Sequence, residues 1–408
     1  MTEAEIIELV GVRVDGGPDP RVLAQLKMGG SGDEPRPRAI LENLATILGE
    51  DPRWRGRVYL SDHDGRTYLD GKAITDGDES EAALWLSRNY DVAPGSALVG
   101  EALRLVGRAN RRHPPRDYLD RCRAAWDGCE RIDRWLATYL GVAPDPLSSA
   151  IGRCFLLSAV ARLRAPGCKV DTVLILVGGQ GAGKSTALRV LAGEWFSDTP
   201  ITVGSKDVYE QLSGIWIYEL AELDAFRKAE WPAIKALISS PADNVRRAYA
   251  RNAVIVPRQS VWVGTSNRKD FLADSTGSRR FWPVEVAATG PIDLTNLRRE
   301  RDQLWGEAVA RYEAGEAWWL PGDLDAALAD RAEEYEQADP WAARVAAFAK
   351  GQSEIEIGDL LARALDRPAH AQTPHDSARA GNLLAELGFV RRRRRRDDGS
   401  RPTVWVRG

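Results

Sequence analysis

Eight residues, Gly178, Gly179, Gln180, Gly181, Ala182, Gly183, Lys184 and Ser185, satisfy the spacing G-x-x-x-x-G-K-[ST] in full, and Thr186 follows them. The chemistry of this pattern is phosphate binding. Glycines let the backbone wrap closely enough for its N–H groups to point at a polyphosphate, helped by the N-terminus of the next helix. Lys184 can reach the β- and γ-phosphates, and the Ser185 hydroxyl can ligate Mg²⁺. Downstream, the apolar run IWIYEL ends in Glu219, with Glu222 and Asp224 just beyond. A strand ending in acids beside a P-loop suits a Walker B element, in which one carboxylate holds the metal and another polarises the attacking water. Glu219 is favoured for the metal side and Glu222 for the water, though the two roles can be exchanged. The run SVWVGTS is followed directly by Asn267, whose amide can orient that water or touch the γ-phosphate. Arg279 and Arg280 follow in a loop, and arginine supplied in trans stabilises charge on a transferring phosphoryl group.

These groups need a scaffold, and the surrounding pattern supplies one. The run VLILV precedes the glycine loop and a helical pattern at Thr186–Leu191 follows it. After IWIYEL comes a helix at Ala229–Ile238, then the SVWVGTS strand. Short apolar runs alternating with helices predict a parallel sheet with helices on its faces, an α/β fold. We therefore expect a core over 171–340, preceded by a helical lead-in over 111–170. Residues 1–110 read as an α+β or winged-helix-like region. It holds a linker in GGSGDEPRP, helices at Ala39–Leu48, Glu79–Tyr90 and Ala97–Ala109, and a hairpin VYLSDHDGRTYL turning at Asp64-Gly65. Residues 341–408 read as a small winged-helix-like unit. It has helices at Ile357–Leu365 and Ser377–Leu387 and a basic hairpin around Asp398-Gly399.

Composition narrows the partners. The 408 residues are 44% hydrophobic and 28% charged, with a formal net charge of −3, so any nucleic-acid site must be a local basic patch. Cys122, Cys129, Cys154 and Cys168 form no C-x₂-C pair and stand beside no histidine cluster, as expected of scattered thiols in a reducing compartment. The start MTEAEIIELVGV lacks a secretory pattern and no apolar run reaches bilayer length, so a cytoplasmic location without membrane attachment is expected.

GGQGAGKST, ELAELD, IKALISSPADNVRRAYARN, GTSN and TGSRRFWPV, in that order and spacing, resemble the virulence-associated protein E family, as do HPPRDYLDRCRAAWDGCERIDRWL and APGCKVD upstream. The match runs over about Arg112–Val286 and is loose elsewhere. That family belongs to phages, prophages and pathogenicity islands, and its core is similar to superfamily 3 helicases within the AAA+ class. The resemblance implies an ATP- and Mg²⁺-dependent homo-oligomeric ring, hexameric, that translocates on DNA during replication of a mobile element. It implies Walker A roles for Lys184 and Ser185, Walker B roles for Glu219 and Glu222, sensor 1 for Asn267 and arginine fingers in Arg279 and Arg280. Many superfamily 3 Walker B motifs end in adjacent acids, whereas two residues separate Glu219 from Glu222 here.

DNA contacts are expected in two places. RRAYARNAVIVPR holds Arg246, Arg247, Arg251 and Arg258 without an acid, and in superfamily 3 helicases the corresponding insertion is a hairpin lining the channel. Its arginines suit phosphates, Tyr249 can stack on a base, and Lys235 lies on the preceding helix. At the C-terminus Arg391, Arg392, Arg393, Arg394, Arg395 and Arg396 suit a basic wing on duplex or single-stranded DNA. Two alternatives keep the same ATP site: a primase–helicase using Asp62 and Asp64 as metal-binding carboxylates, and a non-unwinding AAA+ switch, for example in phage defence. A small-molecule kinase leaves Asn267, the arginine pair and the basic terminus without a role.

Overall fold

A computed structural model describes residues 17–30, 35–201, 208–223, 226, 230–245, 254–272, 278–336, 339–393 and 403–408. The chain divides into two compact units, Met1–Lys269 with Ser275–Glu334, and Asp270–Asp274 with Tyr335–Gly408.

The first unit begins with an α+β region. Helix α1 (Leu41–Glu50) leads to strands β1 (Val58–Ser61), β2 (Thr67–Leu69) and β3 (Lys72–Ala73), then α2 (Asp76–Tyr90), α3 (Ser96–Ala109) and β4 (Arg111–Arg112). The sheet order is β3-β2-β1-β4. β1 and β2 pair antiparallel with Val58 opposite Leu69, so the expected hairpin forms around the Asp64 turn. α2 starts at a capping box between Thr75 and Asp78, which satisfies its first free N–H groups. Leu44, Ile47, Trp54, Trp85, Leu86 and Leu103 fill the core. GGSGDEPRP is not simply a linker: its two ends pair, Met28–Gly29 running antiparallel to Arg36–Pro37.

Three helices lead to the central sheet: α4 (Pro114–Ala125), α5 (Trp135–Leu140) and α6 (Pro146–Arg164). Proline at the first helical turn and the Asp145 side chain accepting from Ser148 N–H set the start of α6, whose residues are buried on nearly every face. The sheet strands are β5 (Val173–Val177), β6 (Phe196–Ser197), β7 (Ile217–Leu220), β10 (Val261–Ser266) and β11 (Phe281–Glu285). Helices α7 (Lys184–Ala192) and α8 (Trp231–Ser239) connect them, and a two-stranded antiparallel hairpin, β8 (Ala242–Val245) with β9 (Val254–Pro257), follows α8. All neighbours in this sheet run parallel, in the order β11-β5-β10-β7-β6. The acid-bearing β7 does not adjoin the P-loop strand β5, because the Asn267 strand β10 lies between them.

Helix α9 (Leu294–Glu313) and helix α10 (Asp325–Glu333) complete the unit. α9 has no counterpart among the elements expected from the sequence, although Leu297, Leu304, Trp305, Ala308 and Val309 recur at helical spacing and are all buried. Buried Cys122 and Cys154 are unpaired, and burial pushes each thiol up to about 11, which keeps them from forming reactive thiolates.

The second unit runs helix α11 (Ala342–Ala349), strand β12 (Glu354–Glu356), helices α12 (Ile357–Ala364) and α13 (Pro374–Glu386), then strands β13 (Phe389–Arg393) and β14 (Thr403–Arg407). Its antiparallel sheet has the order β12-β14-β13 and packs Ile355 and Phe389 against Leu360, Leu361 and Leu384. Gly381 admits the Trp405 ring, since a Cβ there would lie 2.6 Å from Cζ2. Asp398-Gly399 lies outside the described residues.

Candidate functional site

The P-loop joins β5 to α7, as the motif requires. Gly181 and Gly183 take φ of +78° and +93°, conformations that side chains rarely adopt, so these two glycines shape the loop. Gly178 is needed for closeness: a Cβ there would sit 2.9 Å from Val286 Cγ2. Lys184 is buried and folds back over the loop, its Nζ donating to Gly178 O (2.7 Å), Gly179 O (2.9 Å) and Asn267 Oδ1 (3.0 Å). The Walker A lysine and the amide expected as sensor 1 therefore meet, although 83 residues separate them.

Glu219 is only 1% exposed, at the end of β7. Its Oε1 accepts from Ser185 Oγ (2.8 Å) and from Thr265 Oγ1 (2.7 Å). Its Oε2 is buried with no hydrogen-bond partner among the described residues. A buried carboxylate oxygen without a donor, beside a serine hydroxyl on the P-loop helix, is a hard-oxygen set that fits Mg²⁺. Ser185 and Glu219 would hold the ion, which when bound neutralises phosphate charge. Glu222 is exposed with φ of +52°, past the strand end. Both acids line a cleft of about 630 Å³ with Asp198, Thr199, Phe226 and Glu230. Asp224 lies outside the described residues. Thr265 is a member of the site that motif reading does not single out. Its part depends on the pairing of β10 with β7, which the residues themselves do not announce.

Arg279 is exposed and Arg280 half-buried in a 3₁₀ turn before β11. Arg280 Nε donates to Ser239 Oγ at 3.2 Å and lies 4.0 Å from Asp171. Among the described residues neither arginine makes a hydrogen bond or ion pair with the P-loop of its own chain.

The hairpin divides the expected DNA contacts. Arg246, Arg247, Tyr249 and Arg251 lie outside the described residues, and Lys235 is half-buried on α8. Arg258 is a correction. It is 1% exposed, paired through both Nε and Nη2 with buried Asp243, and donates through Nη1 to Leu237 O. Its backbone oxygen accepts from Gly167 N–H at 2.9 Å. A guanidinium so fully engaged cannot reach a DNA phosphate; it anchors the hairpin base. Arg391 and Arg392 are exposed on β13, whereas Arg394, Arg395 and Arg396 lie outside the described residues, as does the Arg393 side chain.

The Asp62-His63-Asp64 carboxylates serve different partners. Asp62 pairs with Arg111 at 2.7 Å and Asp64 accepts from Tyr68 Oη at 2.7 Å. His63 is buried between the α+β region and the central sheet, with Gln259 Oε1 3.3 Å from its Nδ1 and 2.6 Å from His113 Nε2. Burial, then the neighbouring His113, hold the His63 pKa down to about 4 from the ordinary 6.5. Between those values the unfolded chain binds a proton that the folded chain refuses. The stability contribution is thus complete above pH 6.5 and lost as pH falls towards 4, by about 3 kcal/mol in all. Urea midpoints taken from pH 7.5 to 4.5 should fall less steeply for His63→Gln than for the unmodified protein; parallel curves would refute this assignment.

Among the described residues no helix is long and apolar enough to cross a membrane. No curated protein matches the chain. Among solved structures, the apo structure of the NrS-1 C-terminal region (305–718) is similar over 86% of this chain and 96% of that one, at 12% identity and a TM-score of 0.49. The A form of the same apo region has the same coverage and identity with a TM-score of 0.47. Likeness this loose does not bear on activity. The family comparison is firmer: the model of the virulence-associated protein E-like domain matches residues 119–337, which contain the P-loop, Glu219, Thr265, Asn267 and both loop arginines. More than half of the sequence lies within that match, and the chain belongs to the virulence-associated protein E-like family.

Proposed function

We propose that this protein is an ATP-driven DNA helicase or translocase of the AAA+ type, acting in phage-associated or other mobile-element DNA replication. Family membership supports the replication setting. The observation that carries the enzymatic reading is the convergence of Lys184, Ser185, Glu219 and Asn267 from the ends of two sheet strands and one helix N-terminus. The inserted position of β10 supports it further, because the amide and the carboxylate then approach one phosphate position from adjoining strands. ATP and Mg²⁺ are the required small molecules, with Gly178–Thr186 cradling phosphate, Ser185 and Glu219 on the metal, and Glu222 or Glu219 polarising water.

The exposed Arg279 has no described partner in its own chain, which fits a role in trans at an interface of a homo-oligomeric ring, taken as hexameric. In this reading residues 1–110 form an accessory α+β region, 111–170 a helical collar and 171–340 the AAA+ core. Residues 341–408 form a winged helix, supported by the order helix, strand, two helices, two strands. The β8–β9 hairpin carries Arg246, Arg247, Tyr249 and Arg251 towards single-stranded DNA, and Arg391 to Arg396 hold a second stretch through phosphate contacts.

One titration tests this. Specific ATPase activity and unwinding of a forked duplex should rise together as protein concentration passes through the assembly range. Activity that stays flat down to demonstrably monomeric protein would sink the interface site. Hydrolysis without unwinding on any DNA would favour the AAA+ switch.

A further inference from the structure

Parallel pairing of β10 with β7 places Val263 opposite Glu219. Side chains alternate along a strand, so Thr265, two residues on, projects to the same face of the sheet as Val263 and reaches Glu219 on the diagonal. The threonine is 5% exposed, and its Oγ1 donates to Glu219 Oε1 at 2.7 Å. Ser185 Oγ donates to the same oxygen at 2.8 Å, and Oε2 of the carboxylate is left without a donor among the described residues. Two hydroxyls from different elements thus converge on one oxygen and leave the other open.

From this arrangement we infer that Thr265 is a positioning residue for Glu219: its hydroxyl fixes the rotation of the carboxylate so that Oε2 stays directed at the cation. The inference rests on the proposed metal role of Glu219 and goes beyond it. Ser185 would not supply this alone, since its oxygen would itself be a ligand of the ion. Thr265 has no phosphate- or metal-binding role in the proposed site. It belongs to the sheet, whose register is fixed by β5 on one side and β7 on the other, so its donor stays in place whatever the P-loop does. Removing the hydroxyl while keeping the branched shape lets the carboxylate turn, and outer groups of this kind typically cost about 10–100-fold in metal affinity or activity when lost.

The test compares Thr265→Val and Thr265→Ser with the unmodified full chain, using Mn²⁺ as the probe and reading its binding by electron paramagnetic resonance in the presence of ADP. Thr265→Val should weaken Mn²⁺ binding by about tenfold or more. ADP binding without metal should stay unchanged, which also shows that the variant is folded. Thr265→Ser, which keeps the hydroxyl, should return Mn²⁺ binding to near the unmodified value. Unaltered Mn²⁺ binding in the valine variant overturns the inference, as does equal weakening in both variants, which would mean that strand packing rather than the hydroxyl matters. ATP turnover of the unmodified protein is measured alongside: its absence would count against the proposed function, while the Mn²⁺ comparison still decides the role of Thr265.

Discussion

Glu219→Gln should lower ATP turnover by about 10²–10³-fold while leaving nucleotide affinity within a few-fold of the unmodified protein. On the barrier this is about 3–4 kcal/mol. The substitution keeps shape and one carbonyl oxygen, so Ser185 and Thr265 still have an acceptor. It removes the negative charge and replaces the second oxygen with an amide that donates where a cation would bind. On the proposed reading phosphate binding is carried elsewhere, by Lys184 and the N–H groups of the glycine loop, so affinity for ADP without metal is the internal control. Turnover measured under saturating ATP and Mg²⁺ decides the matter. A fall of less than about fivefold would move the metal role away from Glu219. The burial of Glu219 and the exposure of Glu222 favour the metal-side assignment for the former, which leaves Glu222, in the same cleft, as the group with access to water.

Local chemistry makes most of the candidate nucleotide site readable from the residues alone. The P-loop is a contiguous motif, and its glycines are dictated by backbone conformation, so Gly181 and Gly183 sit at positive φ where the pattern needs them. The alternating strands and helices are legible for the same reason: β5, β7 and β10 are short apolar runs bounded by turns. Strand order is not legible. Nothing in the residues of β7 says that β10 will come between it and β5, because parallel pairing is a long-range choice made by helix packing on both faces. Thr265 escapes a sequence reading on that account, since its role exists only once β10 adjoins β7. Helix α9 escapes it differently. Its charged residues, Arg298, Arg299, Glu300, Arg301 and Asp302 in a row, mask an apolar stripe that seats Trp305 against the Leu191 carbonyl oxygen at 3.0 Å.

Arg258 passes for a DNA contact in the sequence because composition alone cannot distinguish a phosphate-binding arginine from a structural one, and the two roles predict opposite experiments. As a structural residue, Arg258→Ala should destabilise the protein by about 3–5 kcal/mol, the usual cost of stranding a buried charge, here that of Asp243. That is a large part of the total stability of an ordinary domain, about 5–15 kcal/mol. Arg258→Lys should recover little of it, because one ammonium cannot reproduce the two bonds to Asp243 together with the bond to Leu237 O. Replacing both partners by apolar residues, Arg258→Met with Asp243→Leu, should be better tolerated than the single alanine change, since no charge is then left unpaired. As a DNA contact, Arg258→Ala would leave the urea midpoint unmoved and lower the salt dependence of DNA binding by about one phosphate. Denaturation curves for the three variants, with DNA affinity measured at two salt concentrations, separate these outcomes. The buried pair ties the two strands at the base of β8–β9 to each other and to Leu237 at the end of α8. A loss of stability without change in the salt slope would therefore assign Arg258 to holding the hairpin, and leave DNA contact to the arginines that lie between β8 and β9 in sequence.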